Sequence, residues 1–264
     1  MTDTLPTKYF VVTGKGVSDT SEINAFDKAL MNAGIENEAK ELVKGSIANQ
    51  NVVTVSSIIP LGCQRTLPIS LPIGKITHCV LARMDGHKGQ TVSAGIVLAS
   101  LTSGHDIVAE GHDYVDKPFL QEYLCHKAAE MAEARNEHIK TKEGHIPHEK
   151  EWEEEKLRNL IDKLEQDFNC AHHEKELTDL LASNETNKEV LTLKLAGVYK
   201  ELKAAPKQRR NILEGFAKDI KKLPKLYDKE IENYIGNGLD VKVATIREIG
   251  EDYGCTIAAV VFYD

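Results

Sequence analysis

The chain has 264 residues, enough to bury a real core in one large domain or two small ones. A formal net charge of −8 and a pI near 5.7 argue against a nucleic-acid or anionic-membrane surface, which would want a clustered basic face. No apolar run approaches the roughly 20 residues that span a bilayer. Met1-Thr2-Asp3-Thr4 also lacks a basic region followed by an apolar stretch, so a cytoplasmic protein without a membrane partner is expected.

From residue 7 to about 116 the sequence is rich in β-branched residues and broken by Gly, Pro and Asp. Strands are expected over 9–12, 51–56, 75–83, 91–100 and 106–109. Gly14-Lys15-Gly16 reads as a turn between a strand and a helix; Gly16 stands where a phosphate loop needs Ser or Thr. Ser21 is placed to cap a helix that carries Ala25, Phe26, Ala29, Leu30 and Ala33 on one face and ends at Gly34. A second helix is expected over 117–141.

The texture then changes, and residues 145–233 are dominated by Lys, Glu, Asn and Leu. Trp152, Leu157, Leu160, Ile161, Leu164 and Phe168 recur at three-to-four spacing, the mark of an amphipathic helix. Further helices are expected around Leu177, Leu180 and Leu181, over 190–202 and over 212–223, with Pro206 and Pro224 between them. Gly236-Asn237-Gly238 is a turn signal, 241–246 a strand, and 256–263 a nearly continuous apolar strand. A buried strand so late in the chain needs a sheet to join, and only the early part supplies one. The expected organisation is therefore a β-rich body over 1–144 and 236–264, interrupted by a helical segment over 145–235.

Five widely spaced cysteines, with no C-x-x-C pair, favour reduced thiols. No metal is expected: Cys170-Ala171-His172-His173 has no second Cys/His pair at finger spacing. The ten histidines are scattered, with His87, His105 and His112 flanking strands. Ser93 lacks the nucleophile-elbow glycine, since Thr91 stands two places before it, and reads as a strand residue.

Asn51-Val52-Val53-Thr54-Val55-Ser56-Ser57-Ile58-Ile59-Pro60 is an alternating strand that runs into adjacent serines and then a Pro that cannot extend a central ladder. This block, with residues 24–35, with Thr91-Val92-Ser93-Ala94-Gly95-Ile96, with Ile107-Val108-Ala109-Glu110 and with Gly254-Cys255-Thr256-Ile257-Ala258-Ala259, resembles the successive blocks of the pyruvoyl-dependent arginine decarboxylases. The likeness covers about residues 7–140 and 237–264. Two stretches depart from the family pattern: 36–50 is longer than the family's link, and the helical segment has no counterpart in compact members.

The resemblance implies an α+β fold, a four-layer α/β/β/α sandwich with the helical segment inserted, assembled as a homotrimer or a dimer of trimers. It implies self-cleavage between Ser56 and Ser57. The Ser57 hydroxyl would attack the Ser56 carbonyl, and β-elimination followed by hydrolysis would leave a pyruvoyl cofactor derived from Ser57. Asn51, six residues earlier on the expected strand and so on the same face, resembles the residue that polarises that carbonyl. The pyruvoyl would form a Schiff base with L-arginine, releasing CO2 and agmatine. Glu110 matches the acid that returns a proton to the α-carbon, and Asp27 the carboxylate that reads the guanidinium. Ornithine or lysine is the alternative substrate, since Asp27 also attracts an ammonium. An uncleaved interaction protein that binds through its 145–235 helices is the alternative from another class.

Overall fold

β1 (Lys8–Ser18) takes in both Gly14 and Gly16, so these glycines form strand and not the expected turn. The physical reason lies above them. A Cβ on Gly14 would come within 2.0 Å of the Ala29 carbonyl oxygen, and one on Gly16 within 2.0 Å of the Ala25 oxygen. Both carbonyls belong to α1 (Glu22–Ala33), so bare backbone lets the helix lie directly on the strand. α1 starts and stops as its sequence requires. The Asn24 amide donates to Ser21 Oγ at 3.2 Å, and Gly34 closes the helix at φ 72°. Its inner face buries Ala25, Ala29, Leu30 and Ala33, with Phe26 half-buried beside them.

A computed structural model describes residues 6–35, 52–54, 58–69, 77–168, 215, 218–219 and 221–264. After α1 come β2 (Val52–Thr54), β3 (Ile58–Ile59), β4 (Gln64–Arg65), β5 (Thr77–His87), β6 (Val92–Ser100) and β7 (Asp106–Asp113). They are followed by α2 (Lys117–Glu133), β8 (Ile139–Lys140), β9 (His145–Ile146), α3 (Glu149–Phe168), α4 (Leu223–Glu232), β10 (Leu239–Ile246) and β11 (Tyr253–Tyr263). The expected helices around Leu177 and over 190–202, and most of the one over 212–223, lie outside the described residues, as do Cys170, His172 and His173.

α2 ends earlier than its expected limit of 141. Asn136 takes a left-handed φ of 54° and the Glu137 amide donates back to the Ala132 carbonyl, which frees the chain for the β8–β9 hairpin. The fold is mixed α+β. A five-stranded sheet has the order β2-β5-β11-β1-β4 and a four-stranded sheet the order β10-β6-β7-β3. β11 lies antiparallel between β1 and β5, so the late apolar strand is buried inside the sheet that the N-terminal part begins. One core joins α1 to the five-stranded sheet through Phe10, Cys255, Ile257 and Val261. Another joins the two sheets through Tyr9, Val80, Ile96, Val108 and Val260. α2 meets the four-stranded sheet at Gly95 and Gly111, where an added Cβ would run into Leu124.

The chain separates into two units, one of Met1–Ile146 with Ile231–Asp264 and one of Pro147–Glu230. Within the second unit Trp152, Leu157, Leu223 and Tyr227 are buried. The Trp152 and Tyr227 rings lie 5.6 Å apart, Trp152 Nε1 donates to Glu230, and the Tyr227 hydroxyl donates to the Pro147 carbonyl at 3.1 Å. No helix among the described residues is long and apolar enough to cross a membrane.

Candidate active site

Of the strand expected over 51–56, Val52–Thr54 lie among the described residues as β2, and β3 beyond it belongs to the other sheet. β2 pairs in parallel with β5 at the edge of the five-stranded sheet, Thr54 opposite Cys79. β3 pairs antiparallel with β7 at the edge of the four-stranded sheet, Ile58 opposite Ile107. Thr54 and Ile58 are four residues apart, a reach of at most about 14 Å, while stacked sheets lie about 10 Å apart. Asn51, Ser56 and Ser57 lie outside the described residues.

Glu110 sits on β7, three residues beyond the pairing partner of Ile58. Its own partner across the ladder is Ile96, which belongs to the core between the sheets, as does Val108 two residues before it. By strand alternation the Glu110 side chain therefore leaves the sheet on the side that faces the second sheet. It is half-buried. Its charge is felt at Cys79, whose thiol is pushed up to about 12, first by burial and second by Glu110. Cys79 is the ladder partner of Thr54, so Glu110 and the end of β2 share one neighbourhood. From the helical side, Lys127 of α2 donates to the Glu110 carbonyl at 2.5 Å and fixes the backbone there.

Asp27 occupies a different layer, half-buried on α1 against the five-stranded sheet. Beside it the Phe26 ring carries the Arg83 guanidinium 3.9 Å from its centroid. Arg83 Nε donates to Asp85 Oδ2 at 2.7 Å, and the other Asp85 oxygen is buried without a partner among the described residues. Asp85 and burial together push the Cys255 thiol upward, burial being the larger cause. Sequence reasoning passed over this pair, although two opposite charges two positions apart, on one face of β5, are a readable signal. The chain thus supplies one carboxylate on the α1 layer and another beside the sheet crossing.

The histidines that flank strands stay at the surface. His87 is exposed with its ring against Tyr253, His105 lies in hydrogen-bond reach of Ser103 and His112 is exposed on β7. Ser93 is a buried strand residue whose hydroxyl donates to the Val115 carbonyl at 2.6 Å. Cys63, Cys79, Cys125 and Cys255 are all free thiols.

A sequence model of the family described as pyruvoyl-dependent arginine decarboxylase matches residues 8–39 and 40–174, running through the sheet crossing and both carboxylates and on into α3. The chain is 32% identical over 135 residues to the pyruvoyl-dependent arginine decarboxylase of Methanopyrus kandleri, which covers 51% of this chain and 80% of that protein. It is 30% identical over 121 residues to pyruvoyl-dependent arginine decarboxylase 1 of Methanosarcina acetivorans, covering 43% of this chain and 66% of the relative. To decarboxylase 2 of the same organism it is 30% identical over 135 residues, covering 48% and 67%.

Proposed function

The chain belongs to the pyruvoyl-dependent arginine decarboxylase family, enzymes with a pyruvoyl cofactor, and on that premise we propose that it cuts its own Ser56–Ser57 bond and converts L-arginine to agmatine and CO2. The observation that carries this reading is the change of sheet between Thr54 and Ile58 with Glu110 beside it. The chain belongs to one sheet at Thr54 and to the other at Ile58, and a carboxyl group near that change serves the later proton transfer.

In maturation the Ser57 hydroxyl attacks the Ser56 carbonyl and turns the amide into an ester. Loss of the α-proton of residue 57 expels the Ser56 carboxylate, and water then replaces the resulting enamine nitrogen, which leaves as ammonia. Serine is required at 57 because one β-carbon must carry both nucleophile and leaving group. Asn51 polarises the carbonyl under attack. The group so formed supplies an electron sink for the bond that breaks as CO2 leaves. Glu110 passes a proton to the α-carbon, its side chain leaving β7 on the side that faces the second sheet. Asp27 accepts two parallel N–H bonds from the substrate guanidinium.

The finer architecture belongs to the same reading: a four-layer α/β/β/α sandwich, supported by α1 on one sheet, α2 on the other and a shared core between them. So do the segment over 145–235 as a helical insertion into that body, assembly as a homotrimer or dimer of trimers, and a cytoplasmic location. Intact mass under denaturing conditions tests the chemistry. Two pieces, the smaller ending at Ser56, are expected from the native chain and a single uncut chain from Ser57→Ala. A native chain that stays whole overturns the proposal. CO2 release measured with arginine, ornithine and lysine in parallel tests the substrate, with arginine expected to be fastest.

A further inference from the structure

The body unit holds a cavity of about 400 Å³ where β1 begins and β6 ends, lined by neither Asp27 nor Glu110. Its volume lies in the range of small-molecule sites. The apolar part of the wall is Leu98, Leu239 and the Tyr9 ring; the polar part is Arg65, Asp106 and Asp240, with Ser100 between. Two carboxylates and one guanidinium line it, and Lys242 approaches Asp240 from outside the lining.

The charges are unequally satisfied. Arg65 Nη1 lies 2.5 Å from Asp240 Oδ2, and Lys242 Nζ 3.3 Å from the other Asp240 oxygen, so Asp240 and Arg65 answer each other. Asp106 receives one bond, from the Ser100 hydroxyl to Oδ1, and no cation among the described residues pairs with it. Tyr9 is only 6% exposed, and its hydroxyl has no hydrogen-bond partner among the described residues although it opens on the cavity. Burial, and after it the charge of Asp106, raises the Tyr9 hydroxyl above its usual range, which keeps the proton on it at neutral pH. The Tyr9 hydroxyl and the second Asp106 oxygen both open on the cavity without a partner among the described residues, so both are available to a ligand there.

We propose that this cavity binds a small organic cation, an alkylguanidinium or alkylammonium, whose N–H groups meet the free Asp106 oxygen and the Tyr9 hydroxyl while its alkyl chain lies against Leu98 and Leu239. An anion is disfavoured because Arg65 is already neutralised. A bare divalent metal is disfavoured because one unengaged carboxylate and a neutral phenol fall far short of six oxygen ligands. The site is separate from Asp27 and does not depend on cleavage at Ser57. It gives the protein a second place to meet the class of molecule that a cationic amino-acid decarboxylase consumes and releases.

The probe is n-butylguanidinium, which has the cation but no amine to condense with a pyruvoyl group. Binding is measured by calorimetry on the full-length Asp27→Asn protein, in which the other expected cation reader is removed. Binding is expected there, weakened about tenfold or more when Asp106→Asn or Tyr9→Phe is added, as fits loss of a hydrogen bond to a charged group. Tyr9→Phe keeps the ring and the core, and an unchanged thermal midpoint checks that it does. Neutral n-butanol should not bind. Absence of binding in Asp27→Asn, equal affinity in both double variants, or equal binding of n-butanol each overturns the proposal. The mass test for cleavage is read on its own, since the cavity can bind in cut and uncut chains alike.

Discussion

Glu110 and Asp27 are both half-buried carboxylates in different surroundings, and the proposed function gives them different tasks. Glu110 leaves β7 toward the second sheet, near the sheet crossing; Asp27 sits on α1, next to the ring that carries Arg83. Glu110→Gln should therefore lower kcat about 100-fold or more while mass shows normal cleavage. Asp27→Asn should raise KM for arginine about tenfold or more with a smaller change in kcat, because a lost charge-assisted bond to the guanidinium acts on binding. Steady-state kinetics on the two variants separates these outcomes; equal effects on both parameters would sink the division. The buried thiols carry a pH prediction. Cys79 and Cys125 are pushed from 9 to about 12 and Cys255 is raised as well, chiefly by burial. Their folded values lie above their unfolded ones, so the stability they contribute is complete below pH 9 and is lost as pH climbs from 9 toward 12. Each thiol removes about 1.4 kcal/mol per pH unit in that window. Urea midpoints at pH 8 and pH 10.5 should show the drop, and Cys79→Ala with Cys125→Ala should reduce it to the part that Cys255 carries.

At the scale of elements, the same substitution has two different costs in one stretch of chain. Gly14→Ala or Gly16→Ala drives a methyl group into an α1 carbonyl and costs about 1–3 kcal/mol through overpacking. Gly34→Ala has open space around it and costs about 1 kcal/mol through its left-handed φ alone. Only the strand variants lift the helix that bears Asp27, so they should also raise KM for arginine, which kinetics beside urea titration will detect. These glycines show what was readable in the sequence. α1 could be read to the residue because its cap, its apolar face and its terminator are all local signals. Gly14 and Gly16 were misassigned because their reason is a helix lying across them, which only the tertiary fold supplies. The change of sheet between β2 and β3 was hidden in the same way, since alternation cannot reveal which sheet a strand joins. Asp27 and Glu110 are named as candidates from the sequence because they stand inside motif blocks. Tyr9, Asp106 and Asp240 could not be named that way, coming from three strands far apart in sequence that meet only at the end of the sheets.

For the whole molecule, the strand order settles what cleavage would do to it. Cutting after Ser56 would release a 56-residue piece containing β1, α1 and β2. β1 is an inner strand, paired over its whole length with β11 on one side and at Lys8 and Tyr9 with β4 on the other; both neighbours belong to the larger piece. α1 adds a buried face of Ala25, Ala29 and Leu30 in one core with Ile257 and Val261 of β11, and β2 pairs with β5. Pulling the small piece away would expose that core and open an entire ladder inside the sheet, a cost comparable with global unfolding. The two pieces should therefore co-elute on size exclusion in native buffer and separate only in denaturant, where mass shows both. A small piece that dissociates under native conditions would mean that β1 is not held as this topology requires. Folding has to precede cutting for the same reason: a 56-residue piece made alone has no β11 to pair with. When the two pieces are expressed separately and mixed, recovery of activity should be far lower than from the intact chain.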